Sequence, residues 1–206
     1  MPAYFSLSVE FSRYELDYDT VKILKAYLDN AGLKFKSGVK ESEKDSIEEI
    51  NDYNQKKLED NYVLGYTEDR TEDYKQALYE FGGFSEVRGF FVNGSPTEKE
   101  YEYILVIPEE EVRNDDGTYK ADAVNKLKEF VKKLWLMPQI RSIQTGLEST
   151  DGITAEKDLK TGTAPSAHPF AVVSQKIFAV LNKEDYDAEQ INAGGVIIIP
   201  KSRKIV

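Results

Sequence analysis

Cysteine is absent from this chain of 206 residues, and histidine occurs only once. Without cysteine the chain cannot form disulfides, thiolate zinc sites or iron–sulfur clusters, and it cannot use a cysteine nucleophile. The single histidine, His168, cannot build a two-histidine metal site, and the prolines around it indicate a loop. We therefore interpret His168 as an ordinary surface residue rather than as a catalytic base.

Long apolar runs and phosphate-binding glycine motifs are also missing. No stretch approaches 18 consecutive apolar residues, so we expect no membrane-spanning helix. The first residues lack the basic region and apolar stretch of a secretion signal, which favours a cytoplasmic location. No glycine pattern matches a P-loop or a dinucleotide-binding loop, so we expect no cofactor.

The charge of the chain restricts its partners. The net charge is −10, which disfavours direct binding to nucleic acids or to anionic membranes, since both depend on lysine and arginine. An acidic surface either keeps the protein soluble or attracts a basic protein partner. The sequence leaves both interpretations open.

The N-terminal segment has the period of a β-strand. Its apolar residues alternate from Phe5 to Phe11, whereas Ser6, Ser8 and Glu10 occupy the positions between them. This pattern predicts a strand with one buried face and one face toward solvent.

The remaining periodicities predict helices and strands in alternation. The predicted elements of the first 148 residues are a strand at 5–11, a helix at 21–31, an insertion at about 33–83, strands at 87–92 and 101–107, a helix at 121–135 and a strand at 140–147. This order is typical of a split βαβ arrangement, so we predict an α+β, two-layer ferredoxin-like sandwich over residues 1–148. Residues 149–206 are expected to form a linker, a helix at about 170–180 and a buried strand at 196–199, packed on the core.

The insertion is expected to be helical and strongly acidic. Ser46 and Glu49 form a capping box that predicts one helix, and Thr71 is expected to cap a second helix that reaches Phe81. Residues 40–73 contain twelve acidic and five basic residues, so they carry −7 of the net charge.

Tyrosines interspersed among these acids suggest a binding surface, because tyrosine offers a large contact area at low entropic cost. We therefore predict a non-enzymatic interaction module of the inhibitor, immunity or adaptor type, with a protein partner that is basic or itself binds nucleic acid. The predicted partner-binding residues are Glu48, Glu49, Asp52, Tyr53, Glu59, Asp60, Tyr62 and Tyr66. In an equally weighted interpretation, the tyrosines of this stretch, Tyr74 included, pack the insertion against the sandwich.

Carboxylates elsewhere support an alternative function. If the first and third core strands are parallel neighbours, the loops that follow them meet at one edge of the sheet. Those loops carry Asp17, Asp19, Asp115 and Asp116. Oxygen ligands of this kind suit Mg²⁺ or Ca²⁺, so the alternative is a divalent-metal-dependent phosphoryl-transfer or nucleotide-processing enzyme.

A second alternative is a structural subunit of a homo-oligomeric assembly. The helix at 121–135 carries lysines at 126, 128, 132 and 133, away from its apolar stripe. This basic face is expected either to remain in solvent or to dock on the acidic insertion, within one chain or between copies.

Overall fold

The computed structural model describes residues 3–63, 73–93, 99–147 and 152–206. This part of the chain has an α+β fold built on a nine-stranded antiparallel sheet. The strands are β1 (Tyr4–Ser12), β2 (Lys34–Gly38), β3 (Ala77–Glu80), β4 (Val87–Val92), β5 (Glu100–Pro108), β6 (Ile140–Leu147), β7 (Ala171–Ser174), β8 (Tyr186–Ile191) and β9 (Gly195–Pro200). The helices are α1 (Thr20–Ala31), α2 (Ile47–Glu59), α3 (Glu109–Val112), α4 (Ala121–Leu134), α5 (Glu156–Leu159) and α6 (Gln175–Val180).

The sheet places β1 at its centre. The strand order is β2-β3-β4-β5-β1-β6-β7-β9-β8, and each neighbouring pair is antiparallel. Ser12 therefore lies opposite Glu100 at one end of the sheet, called here the upper end. Tyr4 lies opposite Pro108 at the other end, called the lower end.

One face of the sheet is covered by α1, α2 and α4. The apolar residues of β1 from Phe5 to Phe11 join Leu24 of α1 and Phe130 of α4 in the main core. Helix α1 ends because Gly32 adopts a left-handed conformation with φ 107°, which glycine adopts without steric cost. The helices predicted at 21–31 and 121–135 are confirmed to within one residue at each end.

The opposite face of the sheet is covered in part by C-terminal residues, although it was expected to face solvent along β1. Ser8 and Glu10, predicted to face solvent, are only 5% and 1% exposed. The segment 152–168 lies over them, and the backbone N–H of Glu156 in this segment donates a hydrogen bond to Glu10 Oε1 over 2.8 Å. A second apolar cluster, which includes Leu159 and Val173, forms on this side.

The acidic insertion is not wholly helical, and the second predicted helix is wrong. Residues 77–80 form β3, which pairs with β2 on one side and β4 on the other. Ala77 and Tyr79 are buried, whereas Leu78 is half-buried and Glu80 is exposed, so the segment follows a period of two. The predicted cap, Thr71, lies outside the described residues.

The C-terminal prediction also needs correction. Residues 171–174 form β7, so the helix begins only at Gln175, where the Ser174 side chain accepts from the N–H of Ile177. Val180, at the end of the predicted helix, is 51% exposed. The strand predicted at 196–199 is confirmed as part of β9, whereas the sequence did not predict β8.

Candidate functional site

The most exposed large apolar or aromatic side chains of the described residues lie in the turn between β1 and α1. Tyr18 is 80% exposed and Tyr14 is 74% exposed. The Tyr14 hydroxyl accepts a hydrogen bond from the Lys99 ammonium, whereas Tyr18 has no side-chain contact of this kind within the described part of the chain. Asp17 and Asp19 flank Tyr18, so the turn presents aromatic rings and carboxylates together.

Helix α2 runs beside this turn and fixes its position. The Gln55 side chain accepts from the N–H of Val21 over 2.9 Å and donates to the carbonyl of Asp17 over 2.6 Å. From the turn, Arg13 Nη2 donates to the carbonyl of Leu58 over 2.7 Å. Because these bonds reach backbone groups, they hold the turn and the helix in one geometry.

The outer face of α2 extends the same surface. Ile50 and Leu58 are buried, so the opposite side of the helix faces solvent. The exposed carboxylates of α2 and its C-terminal cap belong to Glu48, Glu49, Asp52, Glu59 and Asp60. We call these five residues, together with Tyr14, Asp17, Tyr18 and Asp19, the acidic surface.

The carboxylates of this surface differ in their local roles. Glu49 accepts from the N–H and the hydroxyl of Ser46, and these bonds lower the pKa of Glu49 and cap α2. Glu59 accepts from the Gln55 side chain over 2.8 Å. Glu48 and Asp52 are exposed and form no ion pair or side-chain hydrogen bond with the described residues.

Two predicted partner-binding tyrosines are engaged within the protein. Tyr53 is half-buried, and the ammonium groups of Lys75 and Lys57 lie 4.7 and 5.5 Å from its ring centroid. Tyr62 is also half-buried, and its hydroxyl donates to Asp73 over 3.2 Å. Both rings therefore border the acidic surface without projecting from it.

The other two tyrosines considered for the binding surface do not lie on it within the described residues. Tyr66 lies outside the described residues. Tyr74 is 5% exposed and donates to the carbonyl of Tyr62 over 2.8 Å, and burial raises its pKa to about 12. Tyr74 thus belongs to the core, as the packing interpretation predicted.

The carboxylates considered for a metal site lie at opposite ends of the sheet. The premise of parallel neighbouring strands is wrong, because β1 and β5 are antiparallel. The turn with Asp17 and Asp19 follows the upper end of β1, and the turn with Asp115 and Asp116 follows the lower end of β5. A nine-residue strand, about 27 Å long, separates them. The described residues contain no group of three or more His, Asp or Glu side chains placed to hold a metal ion.

Two of these aspartates have structural roles in their own turns. Asp17 Oδ1 accepts from the N–H of Asp19 and from the hydroxyl of Thr20, at the start of α1. Asp116 Oδ1 accepts from the hydroxyl and the N–H of Thr118, and these bonds lower the pKa of Asp116. Such bonds are typical of turns that aspartate stabilises.

The single histidine is half-buried at the lower end of the sheet, not on the open surface. His168 Nε2 lies 3.2 Å from Arg203 Nη2, so a neutral imidazole accepts this hydrogen bond. Burial, with the nearby charges of Arg203 and Arg113, lowers the pKa of His168.

The basic face of α4 contacts β8 through two lysines and the end of the insertion through a third. Lys128 and Lys132 each form a 2.7 Å ion pair with Glu189, and these contacts lower the pKa of that carboxyl. Lys126 donates to the carbonyl of Gly82 over 2.7 Å. The lysines expected to meet a neighbouring copy are therefore largely engaged within the chain.

The sequence did not predict a buried polar network around Glu10. Its carboxyl accepts from the Ser142 hydroxyl over 2.6 Å and from the N–H of Glu156 over 2.8 Å. Gln144 donates to Ser142 and to the carbonyl of Thr154. Burial raises the pKa of Glu10 despite these bonds. The network connects β1 and β6 to the segment that covers them.

Comparisons with known proteins add no family assignment. No protein-family model matches the chain, and no curated protein matches it significantly. Among the described residues, no helix combines the length and the apolar composition needed to cross a membrane.

Proposed function

We propose that this protein is a non-enzymatic interaction module whose acidic surface binds a basic protein partner. The observation that carries the proposal is the pair of exposed rings, Tyr14 and Tyr18, flanked by carboxylates on a turn that Gln55 and Arg13 fix in place. Nucleic-acid-binding proteins are one class of partner with suitable charge, because carboxylates can occupy the positions of phosphates.

Physical reasons favour these two tyrosines as the centre of the interface. A tyrosine ring buries a large area on binding and loses little rotamer freedom, so it is frequent among residues that dominate binding energy. The turn is held before binding by hydrogen bonds between the side chains of Gln55 and Arg13 and backbone groups, which reduces the entropic cost of ordering it. The surrounding carboxylates would accelerate encounter with a basic partner.

The first test removes the rings. Affinity capture with the wild-type protein identifies bound proteins, and titration calorimetry with each purified partner then compares the wild type with Tyr14→Ala/Tyr18→Ala. We expect at least tenfold weaker binding, since each such residue typically contributes more than 1 kcal/mol. The matched control, Leu136→Ala/Val180→Ala, removes two apolar side chains that are exposed elsewhere, 47% and 51% respectively, and should change the affinity less than twofold.

The second test reverses charge and leaves Glu49 intact, because that residue caps α2. The variant Glu48→Lys/Asp52→Lys/Glu59→Lys should weaken binding and reduce its dependence on salt. The control variant Glu110→Lys/Asp115→Lys/Glu184→Lys changes the net charge equally at exposed sites outside the acidic surface. Equal affinities for the two variants would show that only overall charge matters and would refute the proposal.

We also infer that β4, β5, β1 and β6 form a ferredoxin-like core within the larger sheet. Their order, the antiparallel pairing of neighbours and the positions of α1 after β1 and α4 after β5 support this grouping. Strands β2 and β3 would then extend one edge, and β7, β9 and β8 the other. An experimental structure in which β1 pairs with strands other than β5 and β6 would contradict the grouping.

A further inference from the structure

A cleft of about 720 Å³ lies between the end of α4, the start of β6 and the C-terminal elements α5 and α6. Its apolar wall includes Trp135 and Ile177, and its polar residues include Arg141, Lys160 and Lys176. The volume falls within the range of small-molecule sites, which are typically clefts with an apolar wall and a few polar groups.

The charges of this cleft contrast with those of the whole protein. Three cationic side chains and one carboxylate, that of Glu156, line it, although the chain carries a net charge of −10. Lys160 pairs with Glu156 over 2.9 Å, and Arg141 pairs with Glu15. Lys176 forms no ion pair or hydrogen bond through its side chain with the described residues. Lys176 therefore adds a positive charge to the cleft that no carboxylate of the described residues neutralises by an ion pair.

A neutral donor on the same wall also lacks an acceptor. Trp135 is 7% exposed, and its indole N–H forms no hydrogen bond with the residues that the structure describes. The indole reaches this position only because residue 195 is glycine, since a Cβ there would lie 2.4 Å from Trp135 Nε1. The indole N–H is therefore a neutral hydrogen-bond donor that an acceptor atom of a ligand would engage.

We propose that this cleft binds a small organic oxyanion, through a phosphate or carboxylate group that Lys176, Lys160 and the Trp135 N–H contact. Charge-assisted hydrogen bonds from lysine to such groups are stronger than neutral ones. The cleft is much larger than an inorganic anion, so the rest of the ligand lies against Trp135 and Ile177. No residue that lines the cleft belongs to the acidic surface, although Arg141 pairs with Glu15 of the adjoining turn, and the inference does not depend on the proposed partner.

The test uses Trp135 as an intrinsic probe, because it is the only tryptophan in the chain. Its fluorescence is measured during titration with AMP, citrate or inorganic phosphate, and sodium chloride at equal ionic strength serves as the reference. Calorimetry in parallel detects binding that leaves the fluorescence unchanged. We expect saturable binding of AMP or citrate, tighter than that of inorganic phosphate. Tighter AMP binding would identify a phosphate ligand, and tighter citrate binding a carboxylate ligand.

Paired variants then locate the bound anion. Lys160→Gln/Lys176→Gln should weaken binding at least tenfold, because two charged donors are lost. The control Lys157→Gln/Lys183→Gln removes two exposed lysines outside the cleft and should change affinity less than twofold. The proposal is overturned if neither AMP nor citrate binds above the chloride reference, or if the two paired variants bind equally.

Discussion

Gly89 offers a sharp test of the packing beneath the acidic insertion. It lies on the helix-covered face of β4, paired with Ala77 of β3 and Leu105 of β5. A Cβ at this position would lie 2.2 Å from the Tyr103 hydroxyl oxygen and 3.0 Å from a ring carbon of Tyr79. These two hydroxyl groups form a buried 2.8 Å hydrogen bond. The glycine is therefore required by close approach, since its φ is not in the left-handed region.

The cost of Gly89→Ala follows from this geometry. The Tyr103 hydroxyl must retreat from 2.2 Å to at least 3.0 Å, which disrupts its bond to Tyr79. Overpacking typically costs about 1–3 kcal/mol and a lost buried hydrogen bond about 1–3 kcal/mol. Alanine is favoured over glycine in a strand by about 0.5–1 kcal/mol. We therefore expect the free energy of unfolding to fall by about 1–5 kcal/mol.

Urea denaturation of four proteins measures the effect: the wild type, Gly89→Ala, Tyr103→Phe and the double variant. Tyr103→Phe removes the oxygen that the new methyl group would strike, so Gly89→Ala should cost at least about 1 kcal/mol less in that background. Both variants that carry Tyr103→Phe leave the Tyr79 hydroxyl without its partner, so the cost of this loss cancels when the two are compared. A neutral or stabilising Gly89→Ala, or the same cost in both backgrounds, would refute the reasoning.

Three further predictions concern the site and the titrating groups. Gln55→Ala should lower the free energy of unfolding by about 1–2 kcal/mol, because two hydrogen bonds from its side chain to backbone groups are lost. Amide exchange in residues 14–19 should also become faster. Unchanged exchange would contradict the role of Gln55 in holding the turn. Burial raises the folded-state pKa of Glu10. The free energy of unfolding of the wild type, relative to that of Glu10→Gln, should therefore increase as pH falls from 7 toward 4.5. Urea denaturation of both proteins across this range measures the difference, and a difference that does not change with pH would contradict the raised pKa. NMR titration of the single histidine should give a pKa below 6.5 for His168, and Arg203→Gln should raise it, whereas an unchanged pKa would exclude an effect of Arg203.

The helices were largely predictable because their signals are local. Ser46 and Glu49 form the capping box that the sequence indicated, and Gly32 ends α1 in a left-handed conformation. Strand β3 was not predictable in this way. Its four residues have a spacing that also fits one turn of a helix, and only pairing with β2 and β4 makes them extended.

Burial of the second sheet face depended on contacts distant in sequence. Glu10 alternates with apolar residues, which normally places a carboxylate in solvent. It is buried because residues more than 140 positions later cover it and donate a backbone hydrogen bond to it. No local pattern near Glu10 signals such a cover, so sequence periodicity predicts the strand but not the environment of its polar face.

The direction of the central strands determines where the aspartates of the metal-site hypothesis lie. Antiparallel pairing of β1 and β5 separates Asp17 and Asp19 from Asp115 and Asp116, and so removes the geometric reason for a shared metal site. The same pairing leaves the turn after β1 at the upper end, where Gln55 binds it to α2. Asp17 and Asp19 thereby become neighbours of helix α2, whereas Asp115 and Asp116 lie at the opposite end of the sheet. Tyr14 and Tyr18 lie in a turn with no apolar period that would bury them, and this is the sequence signal that could have indicated their exposure.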